Sequence, residues 1–133
     1  MAVIGHKRTF MTQAFLILSR RYGGDVRDPT DGDLQSALRE VFVEDHPDLS
    51  DADYEEHPSA FLRVGMEDGT MYVLYASRGG ELTLEQWADS DFEAESAAPT
   101  YLHRATSETA LGLWRAAKAG DLAAIRVHEW LEA

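Results

Sequence analysis

The chain has 133 residues, no cysteine and a formal net charge of −12. That length suits one domain whose core needs no staples; the missing thiols exclude disulfides, thiolate nucleophiles and cysteine-held zinc, and suit a reducing cytoplasm. The surplus of carboxylates argues against nucleic acid and anionic membrane surfaces as ligands, and favours a cationic protein partner.

The chain opens with "MAVIGHKRTFMTQAFLILSRRYGG". Its apolar patch "AFLILS" is followed by "RRYGGD" rather than by a small-residue cleavage site, so it is read as part of the fold and not as a signal peptide. No apolar run approaches the ~18 residues of a membrane span. Met11, Phe15, Leu18 and Tyr22 fall at helical spacing. The run "AFLIL", with Thr9, Phe10 and Thr12 nearby, also reads as a buried strand, and the strand is preferred. "GGDVRDPTDG" is a loop by composition. A helix follows. Thr30 or Asp31 caps it, Asp33 sits in the first turn where the dipole favours an anion, and Leu34, Ala37, Leu38, Val41 and Phe42 make one apolar face. Pro47 ends any continuation.

Residues 43–58, "VEDHPDLSDADYEEHP", carry seven carboxylates, two histidines and no lysine or arginine. The stretch reads as irregular. No glycine follows its alternating acids, so the calcium-loop pattern is absent, and a hard cation could bind there only weakly. In "DPTDGD" the twelfth position counted from Asp28 is Arg39, where a calcium loop needs a bidentate glutamate. No metal is assigned to either segment. Residues 43–58 are then a solvated loop, or a landing surface for a cationic partner made by Glu44, Asp45, Asp48, Asp51, Asp53, Tyr54, Glu55 and Glu56.

After it the β signal is strong. "AFLRVGM" and "TMYVLYAS" flank "EDG", and Asp68-Gly69 is the pair a tight hairpin wants. "ELTLEQWA" follows the turn "RGG", and "DFEAES" alternates apolar and acidic residues. A second helix begins near Thr106 or Ser107, carries the stripe Ala110, Leu113, Trp114 and Ala117, and closes at Lys118 and Gly120. Leu122, Ala124, Ile125 and Val127 form a short helical turn or strand leading to Trp130, which pins the C-terminus to the sheet. The expected fold is a single α+β domain over 1–133: an antiparallel β-meander of about four to five strands with two main helices packed on one face.

No enzyme signature is present: the serine elbow G-x-S-x-G and the phosphate loop are both missing. His103, just ahead of the second helix, is the best placed of the five histidines for acid–base work with a carboxylate; as a capping or surface residue it needs no such role. No cofactor is implied. The charge, by contrast, is segregated. Residues 31–57 hold ten acids and one base, residues 81–98 hold six acids and no base, and the other blocks are neutral or basic. In the second acidic block Trp87 sits among Glu81, Glu85, Asp89, Asp91, Glu93 and Glu95. With Leu82 and Leu84 on the core, Glu81, Thr83, Glu85 and Trp87 share the opposite face. Either Trp87 stands there among carboxylates as an anchor for a basic protein, or the strand bulges and Trp87 enters the core.

The order of the back half is a strand pair around Asp68-Gly69, an acidic strand, the helix "TSETALGLWRAAKAG" and then "DLAAIRVHEW". With Gly120, Ile125 or Val127, and Trp130 in that segment, it resembles a family of small α+β immunity proteins of bacterial polymorphic toxin systems. The resemblance covers residues 60–130, and more loosely the helix at 33–43; the acidic stretch 44–57 is not matched to it. It implies an α+β fold, no catalytic residues, and neutralisation of a partner toxin, often of the deaminase type, by direct binding. The carboxylates would then be a landing surface for a toxin whose active groove is positive. Two other expectations compete: a small soluble α+β domain with a scaffold or small-ligand role whose acidity serves solubility, and a small enzyme using His103 and carboxylates.

Overall fold

The computed structural model of the chain describes residues 13–21, 24–42, 59–126, 128 and 130–132. The acidic positions Glu44, Asp45, Asp48, Asp51, Asp53, Tyr54, Glu55 and Glu56 lie outside the described residues. In chain order the elements are β1 (Gln13–Ser19), β2 (Asp25–Arg27), α1 (Asp31–Phe42), β3 (Ser59–Met66), β4 (Met71–Ser77), β5 (Leu82–Trp87), β6 (Glu95–Leu102), α2 (Ser107–Ala119), α3 (Leu122–Arg126) and β7 (Leu131–Glu132). The strands form one antiparallel sheet in the order β2-β1-β3-β4-β5-β6-β7. The fold is α+β, with β3 to β6 running as the expected meander.

Local chemistry sets the helix ends. At the start of α1, the Thr30 hydroxyl accepts the Asp33 N–H at 3.1 Å and the Asp33 carboxylate accepts the Thr30 N–H at 2.9 Å, a reciprocal cap. At the start of α2, the Thr106 hydroxyl accepts the Thr109 N–H at 3.1 Å. Gly120 closes α2 at φ 76°, a left-handed conformation that a Cβ disfavours. Its N–H donates to Ala117 and the next N–H to Ala116, so two orphan carbonyls are satisfied. Gln13 Nε2 reaches from β1 to donate to the Ala117 and Lys118 carbonyls.

Both long helices bury their stripes on one face of the sheet. Leu34, Ala37, Leu38 and Val41 of α1, with Ala110, Leu113, Trp114 and Ala117 of α2, meet Leu16 and Leu18 of β1, Leu62 and Val64 of β3, Leu74 of β4, and Leu82 and Leu84 of β5. Trp114 is 1% exposed, and its indole N–H donates to the Leu74 carbonyl at 3.1 Å. Outside the core, Arg115 of α2 grips Asp31 of α1 through two bonds of 2.6 and 2.8 Å. Arg20 holds Glu40 in the same bidentate way, and the buried Arg21 donates to the Glu40 carbonyl. Part of the basic N-terminal block is therefore spent inside the fold on α1. The Trp130 indole donates to the Ile125 carbonyl at 2.9 Å while β7 pairs with Thr100 and Tyr101, which fastens the end of the chain to the sheet. Among the described residues no helix is long and apolar enough to cross a membrane.

Two local expectations are corrected. Asp25–Arg27, read as loop, is a short strand paired with Ile17, Leu18 and Ser19; three residues are too few to show a period of two. "DFEAES" is not one strand. Residues 90–93 form a turn and β6 begins at Glu95, because the Asp89 carboxylate collects backbone N–H groups there. β6 then runs through Pro99, which a strand near the sheet edge tolerates.

Replacing Trp114 by Phe keeps most of its volume but leaves the buried Leu74 carbonyl without this donor. Urea unfolding should register a loss of about 1–3 kcal/mol, against about 3–5 kcal/mol for Trp114→Ala. The Arg115 guanidinium, followed by the Gln35 amide, holds the Asp31 pKa down at about 2. A depressed folded-state value means that the stabilisation is full above the unfolded value of about 4 and fades as pH falls toward 2. Midpoints of the wild type and Asp31→Asn should therefore converge across that window, and a gap independent of pH would refute the linkage.

A candidate binding surface on the helix-free face

Strand alternation sends the other half of the sheet side chains away from the helices. The pairing register aligns them in three rows: Ile17–Arg63–Val73–Glu85, Ser19–Phe61–Tyr75–Thr83–Tyr101, and Phe15–Gly65–Met71–Trp87–Glu95. Met71 and Val73, in the middle, are fully buried. Gly65 leaves the space that the Phe15 ring occupies, since a Cβ there would overlap the ring. Phe61 and Tyr75 are adjacent, with ring centroids 4.9 Å apart.

The polar groups of this face are interlocked. The Trp87 indole donates to Glu85 Oε1 at 3.1 Å. Tyr75 also bonds Glu85, and burial, with the Glu85 charge second, pushes its phenol up to about 12. Arg63 lies 3.7 Å from Asp25, and its Nε is buried without a hydrogen-bond partner.

At the β5–β6 corner the face becomes an exposed ledge. The Asp89 carboxylate accepts the N–H groups of Asp91, Glu93 and Ala94 at 2.9 to 3.2 Å, and the Ala88 N–H donates to the Ala94 carbonyl. Those bonds hold the Asp89 carboxyl below its ordinary range, the one from Ala94 most of all. They also hold Phe92 at φ 59°. A bulky residue rarely takes that conformation, and here it sets the Phe92 ring edge-on against Trp87 at 5.1 Å. The Arg63 guanidinium lies 6.0 Å from the same ring. Phe92 remains 38% exposed.

The sequence-derived positions divide accordingly. Trp87 is half-buried on the helix-free face, neither in the helix-side core nor standing alone. Thr83 and Glu85 share its face, as the burial of Leu82 and Leu84 requires. Glu81 precedes β5 and sits 3.4 Å from His103 Nδ1. Glu85 and Asp89 are engaged inside the fold, whereas Asp91 and Glu93 are exposed. Phe92, Arg63 and Tyr75 belong to the same surface and were not singled out by sequence. The signal for Phe92 was the Asp-x-Asp-Phe spacing of a side-chain-capped turn.

Among the described residues no group of three histidine, cysteine, aspartate or glutamate side chains is arranged to hold a metal ion. The His103 and Glu81 side chains are 54% and 48% exposed, so that pair stands at the surface rather than in a dry cleft. A shallow groove of about 220 Å³ lies between α1 and α2, lined by Gln35, Leu38, Arg39, Ser107, Glu108 and Leu111. Comparison with protein-family models, curated proteins and solved structures finds no match to this chain.

Removing the Glu85 charge should free the Tyr75 phenol in part. In a spectrophotometric titration Glu85→Gln should ionise Tyr75 at lower pH than the wild-type value of about 12, while burial keeps it above the ordinary value of about 10. An unmoved titration would mean that Glu85 does not act on Tyr75.

Proposed function

We propose that the protein is a non-enzymatic binding protein whose β5–β6 corner receives a cationic protein partner, as an immunity-type inhibitor would receive a bacterial toxin. The observation that carries this reading is the Trp87–Phe92 pair, kept at the surface by a strained backbone within an anionic setting. No lysine or arginine occurs between Arg78 and Arg104, while Asp91, Glu93 and Glu95 stand exposed around the pair. Aromatic anchors of this type supply affinity at interfaces, and the exposed carboxylates around them, which outnumber the Arg63 guanidinium at the Phe92 ring, supply the encounter rate. The toxin as partner is taken from the resemblance of residues 60–130 to immunity proteins; the positive groove of an enzyme that holds nucleic acid would match the charge.

The test uses a partner recovered by affinity capture from the native host. Reversing the exposed charges in an Asp91→Lys, Glu93→Lys, Glu95→Lys chain should slow association by about ten-fold or more at low salt and flatten its salt dependence. Phe92→Ala should mainly speed dissociation. Association unchanged by the triple reversal would overturn the proposal.

A further inference from the structure

Among the described residues, the strand next to this corner has most of its outer side open: β7 pairs with β6 at Thr100 and Tyr101, through Glu132 and Leu131. Upstream, Glu95, Ser96, Ala97 and Ala98 are all exposed. On their inner side they adjoin β5, where Trp87 faces Glu95 and Gln86 faces Ala97. An open edge presents backbone N–H and C=O groups ready to pair with another chain. Folded proteins usually block such edges with lysine, an inward-pointing charge, a covering helix or a bulge. No lysine, inward-pointing charge or covering helix stands on Glu95–Ala98 among the described residues; the register with β5 does shift on both sides of Gln86, so the edge is bulged there and a pairing segment would follow that irregularity. Serine and alanine side chains let a second backbone approach, and Pro99, which has no N–H to offer, bounds the free segment on its C-terminal side.

The edge is also charged in one sense. Asp91, Glu93 and Glu95 stand at its head, within the stretch that lacks lysine and arginine. A second copy of the chain is a poor occupant, because two chains of net charge −12 would join at their acidic corners. An extended segment bearing lysine or arginine meets both demands, with backbone pairing along Glu95–Ala98 and cations over the carboxylates.

Building on the binding function proposed above, we infer that β6 takes an extended basic segment of the partner as an added strand along Glu95–Ala98. The bound segment continues the sheet, and its alternate side chains reach the Trp87–Phe92 ledge.

The full chain is titrated with a short synthetic peptide of alternating lysine and valine. A second peptide of the same sequence is N-methylated at alternate residues, which keeps the charge and removes backbone donors. The unmodified peptide should slow amide exchange within 95–98, and the methylated one should bind at least about ten-fold more weakly. Ala97→Pro and Ala98→Pro serve as a second arm. A proline whose lost N–H points away from β5 should keep the thermal midpoint and lose the unmodified peptide, and the thermal midpoint shows which of the two positions that is. Equal binding of both peptides would overturn strand addition and leave the cationic-partner reading intact; that reading fails separately, on the charge-reversal kinetics. No binding of either peptide, or peptide binding kept by both proline variants, would likewise overturn strand addition. So would a concentration-dependent dimer that protects 95–98 without peptide, because it would give the edge to a second copy.

Discussion

The register between β4 and β5 is the constraint on which both faces of the molecule depend. Leu74 faces Leu84 and Tyr75 faces Thr83, so leucines lie under the helices and polar and aromatic groups lie on the far side. A slip of one residue would exchange the two sets. Leu82 and Leu84 would lose burial worth about 1.5–3 kcal/mol each, and Thr83 and Glu85 would enter an apolar layer. The Trp114 bond to the Leu74 carbonyl ties α2 to the same strand, so the helix layer and the register support each other. The placement of Glu85 and Trp87 on the bare face is the other side of that choice.

The parts of the fold written in local chemistry could be read from the sequence. Helix α1 announces itself through Thr30, Asp33 and its apolar stripe, and α2 through Thr106, its own stripe and Gly120, because caps and a period of 3.6 act within a few residues. The hairpin at Asp68-Gly69 was legible for the same reason. What stayed hidden depends on distant partners. Asp25–Arg27 is a strand because β1 lies beside it. On the candidate surface, the face of Trp87 followed from Leu82 and Leu84. Its meeting with Arg63, Tyr75 and Phe92 did not, since that needs the register of β3, β4 and β5 together with a turn that reverses the chain.

Charge counting misled in one respect. A sequence shows how many carboxylates there are but not what they face. Asp31 and Glu40 are gripped by arginines, Glu85 serves the Trp87 indole, and Asp89 gathers backbone N–H groups. Each of these anions is partly answered within the fold and contributes less to the field that an approaching molecule meets. Among the described acids of the 81–98 block, Asp91, Glu93 and Glu95 are the exposed ones that flank an aromatic pair. The outward field at this corner therefore comes from fewer residues than the composition suggests, and those residues occupy a turn and the start of an edge strand.

The turn itself explains why that arrangement persists. A non-glycine residue at φ 59° carries strain on the order of 1–3 kcal/mol, and an aromatic ring left 38% exposed gives back only part of its burial energy. Neither feature favours folding. Asp89 supports both, since its carboxylate accepts the N–H groups on either side of Phe92. An acidic residue whose own charge is absorbed thus spends its hydrogen bonds on displaying a neighbouring ring. Strain held in this way at an exposed aromatic does not serve stability, and it is compatible with the recognition role proposed for this corner.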